Sequence, residues 1–505
     1  MKRFLHTKKI YFAFFSILSF MLGQSYLAFA SEDRAQSFIN NTINTINSYW
    51  GSFLFWNGHP LKLPLILVIM AFGGVFFTFR YWFVNLTLFK HALEIVSGKY
   101  DKKEDQGEIT HFQALTSALS ATVGLGNIAG VAVAISLGGP GAVFWLWIVA
   151  FFGMSMKFSS CTFAQLHRIL HSDGKVLGGP MVYLDQGFKS QLPNLHFLGK
   201  FFAVLFATFT IGASLGGGNM FQGNQTFEIL VSQFPSLENT NWIVGIVLAV
   251  LVGIVIIGGI QRIGDVTSRL VPFMCGFYCL GCLMIIISNV ELVPHLLGQI
   301  FYQAFSPDAM WAGGFIGVLT QGVKRASFSN EAGLGSAAIA HAAAKTDKPI
   351  REGLVAMLEP FIDTHLVCTM TALSILITNA HLEPALAGKG AAITAQAFSS
   401  LGSFMPMLLA LATAIFAYST MISWSYYGEK GCEYLFGRSS IPYYQVVYVF
   451  CVVLGPVASL ENVIEFSDLM LLSMAFPNII GMVFLSKKIK SLLEEYKNER
   501  KLTGP

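Results

Sequence analysis

The sequence predicts an all-α polytopic membrane protein, with one leading span followed by two five-span blocks of opposite orientation, eleven spans in all. Three observations predict it. The 505-residue chain is 54% hydrophobic and only 12% charged, whereas soluble domains carry about 25% charged residues. Its basic residues collect in alternate loops between apolar runs long enough to cross a bilayer, about 20 residues each. Two of those runs are interrupted in the middle by glycine and small polar residues, and the two stand in matching places.

Residues 1–30 read as a signal peptide. Lys2, Arg3, Lys8 and Lys9 precede an apolar run from Ile10 to Leu22, and Ala28-Phe29-Ala30 is a small-residue cleavage site; a short uncleaved anchor is the alternative. Residues 31–60 read as an outer amphipathic helix. Ile39, Ile43, Ile46, Trp50 and Phe53 recur at helical spacing opposite Asn40, Asn44 and Asn47, as in a helix lying on a membrane surface or packed over the spans as a lid. Residues 61–110 hold the leading span, 62–84, and a cytoplasmic loop.

The first five-span block is placed at 111–290, with spans near 113–137, 140–168, 199–222, 241–260 and 268–289. The second is placed at 309–486, with spans near 309–337, 352–378, 403–427, 441–458 and 464–486, and 487–505 reads as a cytoplasmic tail. One set of loops carries Lys90, Lys99, Lys102, Lys103, Lys175, Lys189, Arg262, Arg269, Lys345, Lys348, Arg351, Lys430, Arg438 and the tail; the opposite set, at 223–240, 290–308, 379–402 and 459–463, carries Lys389. Positive loops face the cytoplasm, so the tail is expected inside, in a bacterial-type plasma (inner) membrane, and the amino terminus outside.

The interrupted segments are Ala121-Thr-Val-Gly-Leu-Gly-Asn-Ile-Ala-Gly130 and Ser327-Phe-Ser-Asn-Glu-Ala-Gly-Leu-Gly-Ser336. Unwound backbone at membrane depth persists where it lines protein or water. Each segment opens a block of five spans, and five is odd, so the second block enters from the other side. Paired broken helices in inverted halves mark the site of a secondary transporter. Their amino-terminal half-helix dipoles suit an anion and their freed carbonyls a hard cation, which an amino-acid carboxylate and a sodium ion satisfy. Close packing of small residues is the simpler account of single glycines such as Gly130 or Gly139.

Other functions find little support. Gly124-Leu-Gly-Asn-Ile-Ala-Gly130 follows no strand and lacks dinucleotide spacing. No HExxH pattern is present, and no enzyme is indicated. Seven cysteines lie mostly inside apolar runs, where packing is the better reading, no cofactor is implied, and no basic block for nucleic acid lies outside the membrane-flanking loops. A channel would show a repeated filter segment, and a sensor would carry a signalling domain. No obligate protein partner is evident; the partners implied are solute, ion and bilayer.

The stretches "GEITHFQALTSALSATVGLGNIAGVAVAISLGGPGAVFWLW", "FSNEAGLGSAAIAHAAA" and "FAYSTMISWSYYGEKGCEYLFG" resemble the alanine or glycine:cation symporter family over roughly residues 60 to 490. Two departures are Leu125, where a small polar residue is expected, and Ser423, where glycine is expected. The resemblance implies a leucine-transporter-like fold, coupling to sodium or protons, and alanine or glycine as substrate. It also implies a polar Gln in the third core span and a Thr-x-x-x-Trp pair in the eighth, here Gln222, Thr420 and Trp424.

On this basis the backbone around Thr122, Gly124 and Gly126 and the Asn127 amide are expected to receive the substrate carboxylate, Asn127 otherwise being a helix-packing residue. Gln222 and Thr420 are candidates for the ammonium, or Gln222 for a cross-link between spans; Phe328 and Trp424 would bound a small apolar pocket. Sodium ligands are expected from the carbonyls of Thr122 and Val123 and the hydroxyls of Ser419 and Thr420, although such hydroxyls often bond the preceding turn. Glu359 and Asp363, four residues apart, are either coupling acids or ion-pair partners of Lys324 and Arg325. His167, His341 and His365 are expected to pack or sit at the interface.

Overall fold

A computed structural model describes residues 51, 52, 54, 56, 64–102, 104–305, 314–386, 389–458 and 460–503. The expected signal peptide lies outside these residues, as does the outer amphipathic helix apart from four positions. Among the described residues, apart from a two-stranded hairpin, β1 (Ile169–Leu170) and β2 (Val176–Leu177), the regular structure is helical.

The helices are α1 (Leu65–Arg80), α2 (Phe89–Val96), α3 (His111–Thr122), α4 (Val131–Gly138), α5 (Gly141–His167), α6 (Pro180–Gln191) and α7 (His196–Leu215). They continue as α8 (Phe221–Gln233), α9 (Asn241–Ile256), α10 (Gly259–Ile287), α11 (Val293–Phe305), α12 (Gly314–Asn330) and α13 (Ala337–His341). The remainder are α14 (Pro349–Ala356), α15 (Thr369–Ile377), α16 (Gly390–Ser399), α17 (Met405–Phe436), α18 (Ile441–Leu454) and α19 (Leu460–Thr503).

Among the described residues seven helices are long and apolar enough to cross a membrane, and α3 with 126–138, bent by 51°, passes as an eighth span. α1 and α9 are shorter apolar helices. The lipid-compatible surface is apolar where it is exposed: Phe72, Phe79, Ile243, Phe273, Ile287 and Phe450 all point outward. Polar side chains turn inward, the arrangement a bilayer demands.

The third span, expected as one uninterrupted helix over 199–222, holds a π-helical stretch at Gly216–Met220 and runs on through α8 to Gln233. Its three glycines admit close neighbours: a Cβ at Gly218 would lie 2.3 Å from Cβ of Trp424, and one at Gly217 would lie 2.8 Å from Leu471. A second unforeseen π-helical stretch, Phe361–Cys368, joins the turn Leu358–Pro360 to α15 and contains Asp363. Such stretches recur at functional sites.

Loop segments expected to be plain connections carry helices of their own. α11 occupies most of 290–308, and α16 lies within 379–402. α16 covers the first broken helix: Thr394 Oγ1 donates to the Ile128 carbonyl at 2.9 Å, and Gly390 meets the Ala129 backbone so closely that a Cβ would stand 2.2 Å from its oxygen. The expected tail, 487–505, continues α19 as a helix to Thr503, with Ile489, Leu493 and Tyr496 buried.

On the basic-loop side, Arg168 draws the connections together. Its guanidinium donates to the carbonyls of Ala344 at 2.6 Å, Ala342 at 3.1 Å, Gln106 at 2.7 Å and Thr346 at 3.2 Å. The segment 342–345 also pairs with 108–109 through backbone bonds, Glu108 N to Ala343 O and Lys345 N to Ile109 O, both 2.8 Å.

Candidate functional site

The first break is set up by a capping box. Thr110 accepts from the Gln113 backbone at 3.2 Å while the Gln113 side chain accepts from Thr110 N at 3.0 Å, which starts α3 cleanly. The helix stops at Val123, which adopts an extended backbone conformation, and resumes as a π-helical stretch at Gly126–Gly130. The second break lies between α12 and α13. There Glu331 has φ of 53°, and Gly333 and Gly335 have φ of 89° and 91°. Left-handed backbone is free for glycine, but costs on the order of 1–3 kcal/mol for a residue such as Glu331. Side-chain bonds offset that strain: Glu331 accepts from Trp424 Nε1 at 3.2 Å and from the Ser336 hydroxyl.

The two breaks meet. A Cβ on Gly126 would lie 3.1 Å from Ser329 Cα, and Gly124 faces Thr420, whose Oγ1 would be 3.2 Å from such a Cβ. Asn127 locks the crossing. Its Oδ1 accepts from Gly124 N at 2.8 Å, and its Nδ2 lies within bonding distance of Asp363 Oδ1 at 2.7 Å, the Asp363 carbonyl at 3.1 Å and Ser329 Oγ at 3.2 Å. Asp363 Oδ2 accepts from Ser329 Oγ at 2.6 Å and Thr364 Oγ1 at 2.8 Å. An acid, two hydroxyls and an amide thus converge from both breaks and the π-helical stretch, all within 1% exposure.

On the other side of the crossing, α17 binds α3 through Thr420 Oγ1 to Ser120 O at 3.0 Å, Ser419 Oγ to the same carbonyl at 3.4 Å, and Ser120 Oγ to Ser419 O at 2.7 Å. The Thr122 hydroxyl instead bonds back to Ala118 O at 3.2 Å and Leu119 O at 3.3 Å. Gln222 uses its Nε2 on Gly217 O at 3.0 Å, while its buried Oε1 has no hydrogen-bond partner. Trp424, one turn beyond Thr420, rests on Gly218. Phe328 is half-buried, its carbonyl beside Gly126.

Two expectations are corrected. Arg325, offered with Lys324 as an alternative ion-pair partner of the seventh-span acids, does not hold them. Glu359 accepts from Lys157 Nζ at 2.5 Å and lies 2.6 Å from His341 Nε2, while Asp363 is held by Asn127, Ser329 and Thr364. The Lys324 side chain lies outside the described residues. Arg325 feels the charge of Asp468. The π-helical stretch begins between the two acids and sends them to different partners. His341 is an ionic residue as well, bridging Glu352 Oε1 at 2.5 Å and Glu359. His167 and His365 stack on Phe163 and Phe361, as packing residues do.

Sequence reasoning missed Lys157, Glu331, Glu352 and His111 as members of the polar interior. The signal for Lys157 was available: a lysine within the apolar run of α5 needs a buried acid. Glu331 stood inside a recognised motif but was credited with no partner.

An inverted pair of broken helices crossing at a buried polar centre defines a secondary transporter of the leucine-transporter-like class. The family model for the sodium:alanine symporter family matches residues 36–504, and the chain belongs to that family; it is a transporter, not an enzyme. The chain is 42% identical over 466 residues to the sodium/alanine symporter AgcS of Methanococcus maripaludis, covering 91% of this chain and 98% of the relative. It is 32% identical over 440 residues to the probable sodium/glutamine symporter GlnT of Bacillus subtilis, covering 86% and 88%. A crystal structure of MhsT in complex with L-phenylalanine aligns with a TM-score of 0.52 at 12% identity, covering 75% of this chain and 98% of MhsT, which is a likeness of fold.

Proposed function

We infer that this protein is a sodium-coupled symporter that imports small neutral amino acids, alanine or glycine, by alternating access across a bacterial-type plasma membrane. Its amino terminus lies outside and its carboxyl terminus in the cytoplasm. The observation that carries the reading is the meeting of both helix breaks at Asn127, Ser329 and Asp363. A carboxylate with hydroxyl oxygens around it suits a hard, weakly bound cation, and the backbone turn at Thr122, Val123, Gly124 and Gly126 suits a substrate carboxylate beside it. The unpaired Oε1 of Gln222 is an acceptor for the substrate ammonium, with Thr420 opposite. Trp424, pressed onto Gly218, and Phe328 would bound a small apolar pocket for a methyl side chain. The sodium/alanine designation of the archaeal relative agrees with this substrate class.

Asp363 acts as the coupling acid, and Ser419 and Thr420 with the Thr122 and Val123 carbonyls form the second oxygen cluster, across α3 and α17. Glu359, with both its oxygens on Lys157 and His341, serves the protein interior. One charge crossing about 100 mV supplies about 2.3 kcal/mol, and a tenfold sodium gradient adds about 1.4 kcal/mol. Together these sustain a several-hundred-fold accumulation of a zwitterion.

The test is uptake of labelled alanine into proteoliposomes with an inward sodium gradient, compared with potassium in its place. Sodium-dependent uptake that excess glycine blocks and that Asn127→Ala and Gln222→Ala abolish is expected. Uptake driven equally by a proton gradient without sodium would remove the ion assignment, and no alanine uptake by folded protein would remove the substrate.

A further inference from the structure

A second line of polar groups, separate from the substrate centre, runs inward from the basic-loop side. Asp101, partly exposed, lies 3.9 Å from Nε2 of buried His111, a nitrogen with no hydrogen-bond partner. His111 Nδ1 bonds Glu352 Oε2, Glu352 Oε1 lies 2.5 Å from His341 Nδ1, His341 Nε2 lies 2.6 Å from Glu359 Oε1, and Glu359 Oε2 lies 2.5 Å from Lys157 Nζ. Beyond Lys157 stands Glu331, within the second break and bonded to Trp424. The line draws on α3, α13, α14, the turn Leu358–Pro360 and α5, and its members from His111 to Lys157 are each at most 2% exposed.

The geometry at His341 requires an extra proton. A neutral imidazole donates from one nitrogen and accepts at the other, and an ionised carboxylate only accepts. His341 presents each nitrogen to a carboxylate oxygen, so the contact closes only with a proton on both nitrogens or on one of the acids. Taken as carboxylates, Glu331, Glu352 and Glu359 are matched in number by Lys157 and two charged imidazoles. The other ionisable groups acting on the line are Cys161 on α5, Arg168 after it, Asp101, Asp363 and Tyr427 on α17. Its position also matters, because His341 ends α13 beside the 342–345 segment that pairs with 108–109.

We propose that His111, Glu352, His341, Glu359 and Lys157 form a proton-binding relay, filled from the cytoplasmic face, whose proton holds that face of the transporter closed. Loss proceeds without net chemistry. Starting from two charged imidazoles and an ionised Glu352, His111 Nε2 releases its proton to water beside Asp101. The His341 Nδ1 proton then passes to Glu352 and on to the bare His111 nitrogen once that ring turns over, leaving Glu352 ionised, His111 charged and His341 neutral. The neutral imidazole then turns a lone pair toward a carboxylate, and α13 separates from α14. Acid inside locks the face, and alkali frees it. The direction of the cytoplasm and the link to transport rest on the function proposed above; the proton site itself rests on geometry.

The experiment is hydrogen–deuterium exchange of peptides 104–112 and 337–347 in full-length protein in nanodiscs, between about pH 6 and 8.5, normalised to intrinsic exchange. Opening is expected to rise with pH, approaching about tenfold per unit for one proton. His341→Gln is expected to flatten the profile. So is Glu359→Gln, whose amide can donate to a neutral imidazole and keep the face closed throughout. A flat wild-type profile, or an unchanged profile in a folded variant, overturns the relay. Alanine counterflow over the same internal pH range separates the two readings: pH-dependent opening without counterflow keeps the relay and removes the substrate, whereas counterflow with flat opening does the reverse.

Discussion

Asn127 and Asp363, 236 residues apart, form a closed clamp: the Asn127 amide nitrogen is 2.7 Å from the carboxylate and 3.1 Å from the same residue's backbone carbonyl. The first broken helix is thereby tied to the π-helical stretch of the seventh span, and movement of either changes the oxygen set around Asp363. Under the function proposed above, this is the mechanical link between ion and solute.

Asp363→Asn retains the size of the side chain and removes its charge. Removing a buried charged partner costs roughly 1–3 kcal/mol, so the apparent sodium affinity is expected to fall by about 10- to 100-fold, with smaller loss of thermal stability. Sodium titration of alanine uptake checks this; an unchanged titration would return Asp363 to a packing role.

Gly218→Ala places a methyl 2.3 Å from Trp424 Cβ. The indole must shift, and its bond to Glu331 at the second break goes with it. Overpacking of this kind costs about 1–3 kcal/mol. Alanine affinity is expected to drop by at least about tenfold while glycine, without a methyl, suffers less. Competition binding with both solutes measures the difference.

Lys157→Met leaves Glu359 buried with His341 as its remaining hydrogen-bond partner. Breaking a buried pair on one side costs about 3–5 kcal/mol, while replacing both members with apolar groups is often near neutral. The single variant is therefore expected to melt well below the wild type, and Lys157→Met with Glu359→Leu to recover part of that loss. Melting curves in detergent decide it.

At the aqueous end, Arg438 donates to Asp173 at 2.7 Å, and that bond holds the Asp173 carboxyl at about 2. A lowered carboxyl contributes above its ordinary value, near 3.8, and the contribution is lost as pH falls toward 2. Arg438→Ala is expected to return Asp173 toward 3.8 with transport at neutral pH unchanged, as a carboxylate NMR titration would report.

The class of the protein was legible in its sequence because the relevant signals are local. Apolar length gives spans, and glycines among small polar residues at membrane depth give breaks at 121–130 and 327–336 wherever they stand. Family membership followed from the same contiguous motifs; Asn127 was singled out within its own segment, and Gln222 through the family resemblance.

What only the tertiary structure decided is which charge meets which. Lys157 and Glu359 are 202 residues apart, and His111 and Glu352 are 241 apart. Nearness in the chain offered Arg325 as a partner, yet spans adjacent in sequence need not turn the same face inward. The π-helical stretches at 216–220 and 361–368 were hidden for a related reason. They arise where Trp424 and Asn127 press from other helices, and a bulge answers to packing that no window of sequence contains. A low-dielectric interior makes every unpaired polar group costly, so the fold settles ion pairs by three-dimensional proximity, while the sequence by itself determines only which residues must be paired.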